Sequence, residues 1–263
     1  MKINLFLILI NLIFSLTSIY SQDKTLLGTY LYDSADTFRT NVYEISKESI
    51  VFFCADYDLD ADGSPRAYNP SNTGILHNDN GRNPYTKRWF AVVVKNGVPI
   101  LQDNYCPYPG FYISTTSLEI KKYKFNDYRR YINSESIPYF VLPGGKYKEY
   151  HKMNMKLGDI GLIYNLSNQR YVFAVFADVG PGKIIGEGSI KLANELGIKT
   201  YIDKKGRIRG GEDRGKIVYI LFPNSGFDKY DYMDSTLINK IGNNLFKNKG
   251  NIHLYVEALL NHK

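Results

Sequence analysis

The stretch Tyr171–Thr200, YVFAVFADVGPGKIIGEGSIKLANELGIKT, decides how this chain is read. Tyr171 to Ala177 is an aromatic and β-branched run of strand length, and it stops at Asp178, where Gly180, Pro181 and Gly182 supply a turn. A carboxylate is thereby set at a strand end. Nine positions on, Glu187 lies between Gly186 and Gly188, ahead of Ser189. Ser189 is a good N-cap for a short helix whose apolar residues are Ile190, Leu192, Ala193 and Leu196, and Gly197 closes that helix.

Two carboxylates facing one another across a glycine-rich turn are the parts that acid/base hydrolysis of a glycosidic bond requires. One protonates the leaving oxygen while the other activates water or attacks. The same spacing also fits two structural roles, with Asp178 capping a turn and Glu187 drawn to the positive end of a helix. That second reading conflicts with a proton donor, because a helix N-terminus stabilises the anion. Burial against Ile184 or Ile185, or the charge of Asp178, would have to override it.

Working outward, Met1–Ser21 has one lysine, an apolar core from Leu5 to Leu16 and a small polar exit, the pattern of a secretory signal peptide. It is too short to span a bilayer with ordinary flanks, so the mature protein is expected to be secreted, extracellular or periplasmic, with no stable membrane association. Residues 22–44 form an N-terminal segment and 45–263 one catalytic domain, since no linker rich in Pro, Ser or charge divides them. The expected class is mainly β with a few short helices, and the expected state a monomer. Cys54 and Cys106 could close a long loop as a disulfide, worth about 4 kcal/mol in the entropic model, or remain free and buried.

The formal charge is +7, which raises the question of nucleic acid. The cations are scattered, with short clusters only at Lys121–Lys124 and Lys204–Arg209, so no nucleic-acid surface is expected. The acidic stretch is concentrated. Val51–Phe53 reads as a strand, and Asp56, Asp58, Asp60 and Asp62 then alternate ahead of Gly63. In an extended segment these carboxylates share one side and suit ammonium groups. Asp58, Asp60, Asp62 and Gly63 also match the opening of a calcium loop, but Asn69 stands where the bidentate Glu belongs and no helices flank it.

Beyond that, 66–88 reads as a long surface loop, Trp89–Lys95 and Val98–Leu101 as strands around an Asn96-Gly97 turn, and Pro107–Leu118 as a turn and strand. Ile137–Leu142, Ile160–Tyr164 and Ile217–Phe222 complete the strands, and Leu237–Phe246 is a helix. Tyr112 could stack on a sugar or fill the core. Asp159 is a third carboxyl candidate or a turn residue bonded to backbone. The histidines His77, His151, His253 and His262 lack zinc-ligand spacing, and neither a nucleophile elbow nor a phosphate-binding glycine loop occurs. No metal or cofactor is expected.

The stretch Phe176–Ile198 resembles the central motif of the glycoside hydrolase family 75 chitosanases. Phe52–Pro70, Pro109–Leu118, Ile137–Pro143, Lys156–Asn165, Gly210–Gly226 and Ile241–Phe246 resemble the same family in the same order. The resemblance implies an endo-chitosanase that cuts β-1,4 bonds between glucosamine units of chitosan or partly deacetylated chitin with inversion. Asp178 would be the general base and Glu187 the proton donor; for that substrate, the residues read above as possible contacts, Asp56, Asp58, Asp60, Asp62, Tyr112 and Asp159, are the substrate-binding candidates. Asp178-Val179-Gly180-Pro181 and Ala193–Gly197 are also similar to the double-psi β-barrel of rare lipoprotein A-type proteins, which implies that core. The alternatives are a peptidoglycan-acting barrel enzyme of lytic transglycosylase type and a non-catalytic secreted glycan-binding module.

Overall fold

The computed structural model describes residues 24–31, 38–76, 79–83, 85–144, 148–226 and 234–261, so the expected signal peptide lies outside the described residues. Six strands close into a barrel: β3 (Ile50–Asp60), β6 (Tyr139–Pro143), β7 (Ile160–Asn165), β8 (Tyr171–Gly180), β9 (Glu187–Ser189) and β12 (Glu212–Phe222). Their order is β3-β12-β7-β8-β6-β9, and β9 pairs back onto β3. The β6–β8 and β3–β9 pairings are parallel and the others antiparallel. Closure removes the free edges that an open sheet of such apolar strands would expose.

Alternation along the strands builds two cores. Phe53, Ala55, Tyr57, Phe140, Phe176 and Tyr219 belong to one cluster, with Phe53 stacked on Tyr219 at 4.7 Å. Phe52, Val141, Phe173, Val175, Ala177 and Val218 belong to the other, together with helix residues Ile238, Phe246, Tyr255 and Val256. The first cluster also takes in Leu192, Ala193 and Leu196 of the short helix after Ser189; the second, on which the two C-terminal helices pack, is the outer core. The helices that cover it are α2 (Ser235–Phe246) and α3 (Ile252–Asn261).

Several expectations change in detail. The central strand does not stop before Asp178 but runs to Gly180, and Glu187 lies within a strand rather than a loop. Ser189 does cap α1 (Ile190–Glu195), its hydroxyl accepting from Leu192 N at 3.1 Å, and Gly197 follows with φ 70°. The expected Trp89–Leu101 hairpin shrinks to β4 (Val94–Lys95) and β5 (Val98–Pro99), although Asn96 and Gly97 keep the left-handed turn. Two features were not foreseen. The N-terminal segment adds β1 (Lys24–Leu31) and β2 (Arg39–Ile45) beside β3, and α3 follows α2.

Cys54 and Cys106 are both free: Cys54 packs against the outer core from β3, while Cys106 Sγ sits on Asp103 Oδ1 at 3.3 Å in a surface loop. The calcium-loop alternative fails on backbone grounds, because Asp58 and Asp60 are laddered residues of β3, not loop ligands. A last hairpin, β10 (Thr200–Ile202) with β11 (Ile208–Gly210), stands beside the barrel.

Candidate active site

Both central carboxyls owe their direction to strand pairing. In the β6–β8 ladder Phe140 pairs with Phe176 but Val141 pairs with Asp178, so Ala177 is an extra residue in β8. This is a β-bulge, which re-aims the side chain that follows it. Ala177 packs in the outer core and its carbonyl accepts from Leu118 N at 2.8 Å, leaving Asp178 on the outer face beside Val141. On the other flank of β6, Val141 also pairs with Glu187, and Glu187 pairs with Asp58 of β3. A single row, Asp58–Glu187–Val141–Asp178, thus runs across four neighbouring strands. Asp178 and Glu187 lie two strand spacings apart, roughly 9–10 Å between Cα atoms.

The glycines beside Glu187 are required by close approach. Gly186 has φ 105°, and a Cβ there would come within 2.1 Å of Asp56 Oδ1; one on Gly188 would meet the Tyr57 hydroxyl at 2.6 Å. The Tyr57 hydroxyl instead donates to Ser189 O at 2.7 Å, which holds β9 against β3.

The row floors a cavity of about 630 Å³ lined by Asp58, Asp60, Asp62, Asp178 and Glu187. Asn83, Phe90, Pro181 and Ile184 form its walls, and no lysine or arginine is among its described lining residues. A locally acidic cleft on a basic chain follows.

The two carboxyls are treated differently. Asp178 Oδ1 accepts three hydrogen bonds, from Ser117 N at 2.9 Å, Ser117 Oγ at 2.6 Å and Val179 N at 2.8 Å. Burial raises its pKa, and these three donors hold it back. Glu187 receives no hydrogen bond from the described residues. Burial first, and then the charges of Asp60, Asp178, Asp58 and Asp56, push its pKa well above the usual carboxylate range. The dipole of α1 does not prevail against this, since that helix has six residues and begins three positions later.

The neighbours deepen the field. Asp60 is pushed up to about 7, by burial and then by Asp178, against the Asp62 N–H that it accepts at 2.7 Å. Asp62 is raised well above its ordinary value by burial, Asp60 and Asp178, against the Tyr68 hydroxyl at 2.6 Å. Burial and mutual repulsion disfavour ionising all of these carboxyls together.

Of the expected substrate-binding residues, the structure gathers Asp58, Asp60 and Asp62 around the cavity with Asp178 and Glu187. Asp56, Tyr112 and Asp159 lie outside its lining. Asp56 backs Gly186. Tyr112 meets Trp89 edge-on at 5.6 Å and packs against a satellite core with Ala61 and Tyr68. Asp159 is fully buried and clamps backbone: Oδ2 accepts from Lys156 N at 2.7 Å and Asn224 N at 3.1 Å, and Oδ1 from Gly226 N at 2.6 Å. Sequence reasoning missed Ser117, Tyr68, Asn83 and Phe90. Ser117 stands 61 residues from Asp178, and nothing local marks it apart from its place in the recurrent stretch Pro109–Leu118.

The family model described as fungal chitosanase of glycosyl hydrolase group 75 matches residues 58–247, which include every residue of the acidic row. No curated protein matches the chain.

Proposed function

From the premise that the chain belongs to the chitosanases of glycosyl hydrolase group 75, we propose that it is a secreted endo-chitosanase that cuts β-1,4 glucosamine linkages with inversion. Asp178 is the general base and Glu187 the proton donor. The observation that carries this reading is the unequal environment of the two carboxyls. One oxygen of Asp178 is tied by three donors and the other is left for the cavity, whereas the Glu187 carboxyl has no donor among the described residues and is surrounded by acids. A carboxyl whose three donors favour its anion faces one whose surroundings favour the proton, the division that general acid/base catalysis needs.

In the reaction, Asp178 takes a proton from water as the water oxygen attacks the anomeric carbon. Glu187 gives its proton to the departing glycosidic oxygen on the opposite side. Asp178 ends protonated and Glu187 ionised, and solvent restores both. A separation of two strands suits the roughly 6.5–9.5 Å between carboxyls that leaves room for this water. Ammonium groups of the substrate are met by Asp58, Asp60 and Asp62, which offsets the repulsion from a basic chain. Asp58 and Glu187 also line a second cavity, so the cleft continues on both sides of the row and a chain can lie across it. In the same reading 1–21 is the signal peptide and 45–263 the catalytic domain.

The test is release of reducing ends from soluble chitosan by residues 22–263, beside Glu187→Gln and beside peptidoglycan as substrate. Rapid cleavage of chitosan that the variant loses is the expected result. Cleavage of peptidoglycan alone, or no cleavage of either, would overturn the reading in favour of the barrel enzyme or the binding module.

A further inference from the structure

The two cavities that meet at Glu187 differ in charge. The larger has five carboxyls and no cation among its described lining residues. The smaller, about 290 Å³, has Asp58 and Glu187 on the shared wall and Leu76, Ile208 and Arg209 opposite. Its size is near the lower end of the range for small-ligand sites, about 300–1,000 Å³, and suits one sugar unit.

Arg209 is held in place but not saturated. It lies on β11, its side chain 39% exposed, with Nε donating to Asp203 Oδ2 at 2.9 Å. Its terminal nitrogens make no hydrogen bond to a described residue, so most of its five donors remain available. The wall behind it is firm. Asp203 Oδ1 also accepts from Lys205 N at 2.8 Å and Arg207 N at 2.9 Å, and Ile208 N donates to Ile75 O at 2.8 Å. The buried Arg207 guanidinium ties the hairpin to the carbonyls of Leu76 and Asn72.

We propose that the smaller cavity is a sugar subsite that prefers an uncharged, N-acetylated unit, and that Arg209 is its specificity-determining residue. The proposal rests on the chitosanase reading. An amine directed at the wall opposite Asp58 meets the fixed guanidinium charge of Arg209, which disfavours it there. An acetamido group offers a carbonyl to the unused guanidinium N–H groups and a methyl group to Leu76 and Ile208. An anionic sugar is disfavoured because Asp58 shares the wall. On the other side of Glu187, where the charged groups of the described lining are all carboxyls, a free amine is the better occupant. The bond cut is therefore flanked by a glucosamine on the larger side and an N-acetylglucosamine, when one is available, on the smaller.

The experiment is digestion of partly acetylated chitosan in ¹⁸O-labelled water, with the products sequenced by mass spectrometry. The label marks each new reducing end, so the units at both new ends are read separately. One new end should be enriched in acetylated units over the other by about tenfold, the size expected of one charge-assisted hydrogen bond. Arg209→Glu should abolish that enrichment, and Arg209→Gln, which keeps an amide donor without the charge, should reduce it to an intermediate value. Loss of the one exposed ion pair with Asp203 threatens folding little. Equal composition at the two ends, or enrichment that survives Arg209→Glu, overturns the proposal while leaving the chitosanase reading intact. No cleavage by the unmodified protein overturns both.

Discussion

Asp178 lies on β8 and Asp159 just ahead of the neighbouring strand β7, both are raised by burial, and both accept three hydrogen bonds. What separates them is how the bonds are shared. Asp159 spends both oxygens on backbone N–H groups from two segments and is closed over by Asn224 and Gly226. Asp178 concentrates all three bonds on Oδ1 and turns the remaining oxygen to a cavity. A carboxylate bonded through both oxygens is a clamp, and one bonded through a single oxygen keeps an acceptor for chemistry. Counting hydrogen bonds would have ranked the two as equals.

The contrast is most easily broken by substituting on each side of it. Glu187→Gln should lower kcat by about 10²–10⁴-fold, the usual contribution of a positioned acid or base. Its Tm should not fall, because the change removes a buried, repelled acid. A variant of ordinary activity would end the proposal that Glu187 is the proton donor. Asp159→Ala should do the reverse. Three backbone N–H groups lose their acceptor at a cost of about 3 kcal/mol or more, which lowers Tm by roughly 6–12 °C while activity per folded molecule is retained. If Asp159→Ala instead lost kcat at an unchanged Tm, the distinction between clamp and catalyst would fail.

Asp60 sharpens the comparison through pH. Its pKa of about 7 in the folded protein exceeds the ordinary 3.8, so between those values the native state holds a proton that the unfolded chain has lost. Stability should therefore fall as pH rises through that window, by about 1.4 kcal/mol per unit, and level off above it. In Asp60→Asn this loss should vanish, so thermal melts of the two proteins should diverge from pH 4 to 7; parallel curves would contradict the coupling. The smallest effect is expected from Ser117→Ala, which removes one donor to the Asp178 anion. Its kcat should drop about tenfold, with the acid limb of the pH–rate profile moved to higher pH. A limb that stays in place would mean that Ser117 does not tune the base.

Much of the barrel was legible because its strands are uninterrupted apolar runs bounded by turn residues, as at Ile160–Asn165 and Ile217–Phe222. The helix after Ser189 was legible from its cap and its closing glycine. Asp178 and Glu187 stood out for the same local reasons. Their separation did not, because it depends on a bulge at Ala177 and on Val141 pairing with both of their strands, and neither partner is near in sequence. Local pattern also could not sort the aspartates. Asp58, Asp60 and Asp62 reach the cavity and Asp56 does not, although all four share one spacing. β1 and β2 went unseen because their residues are only partly buried, so their alternation is weak.

The central claim is that two carboxyls set two strands apart hold a water between them and invert the anomeric centre. The measurement that reaches it most directly is ¹H NMR of the first reducing ends released from chitosan, recorded before mutarotation. The geometry predicts that the α-anomer appears first. An initial β-anomer would mean retention and a covalent intermediate, and would contradict the assignment of Asp178 as a base acting on water.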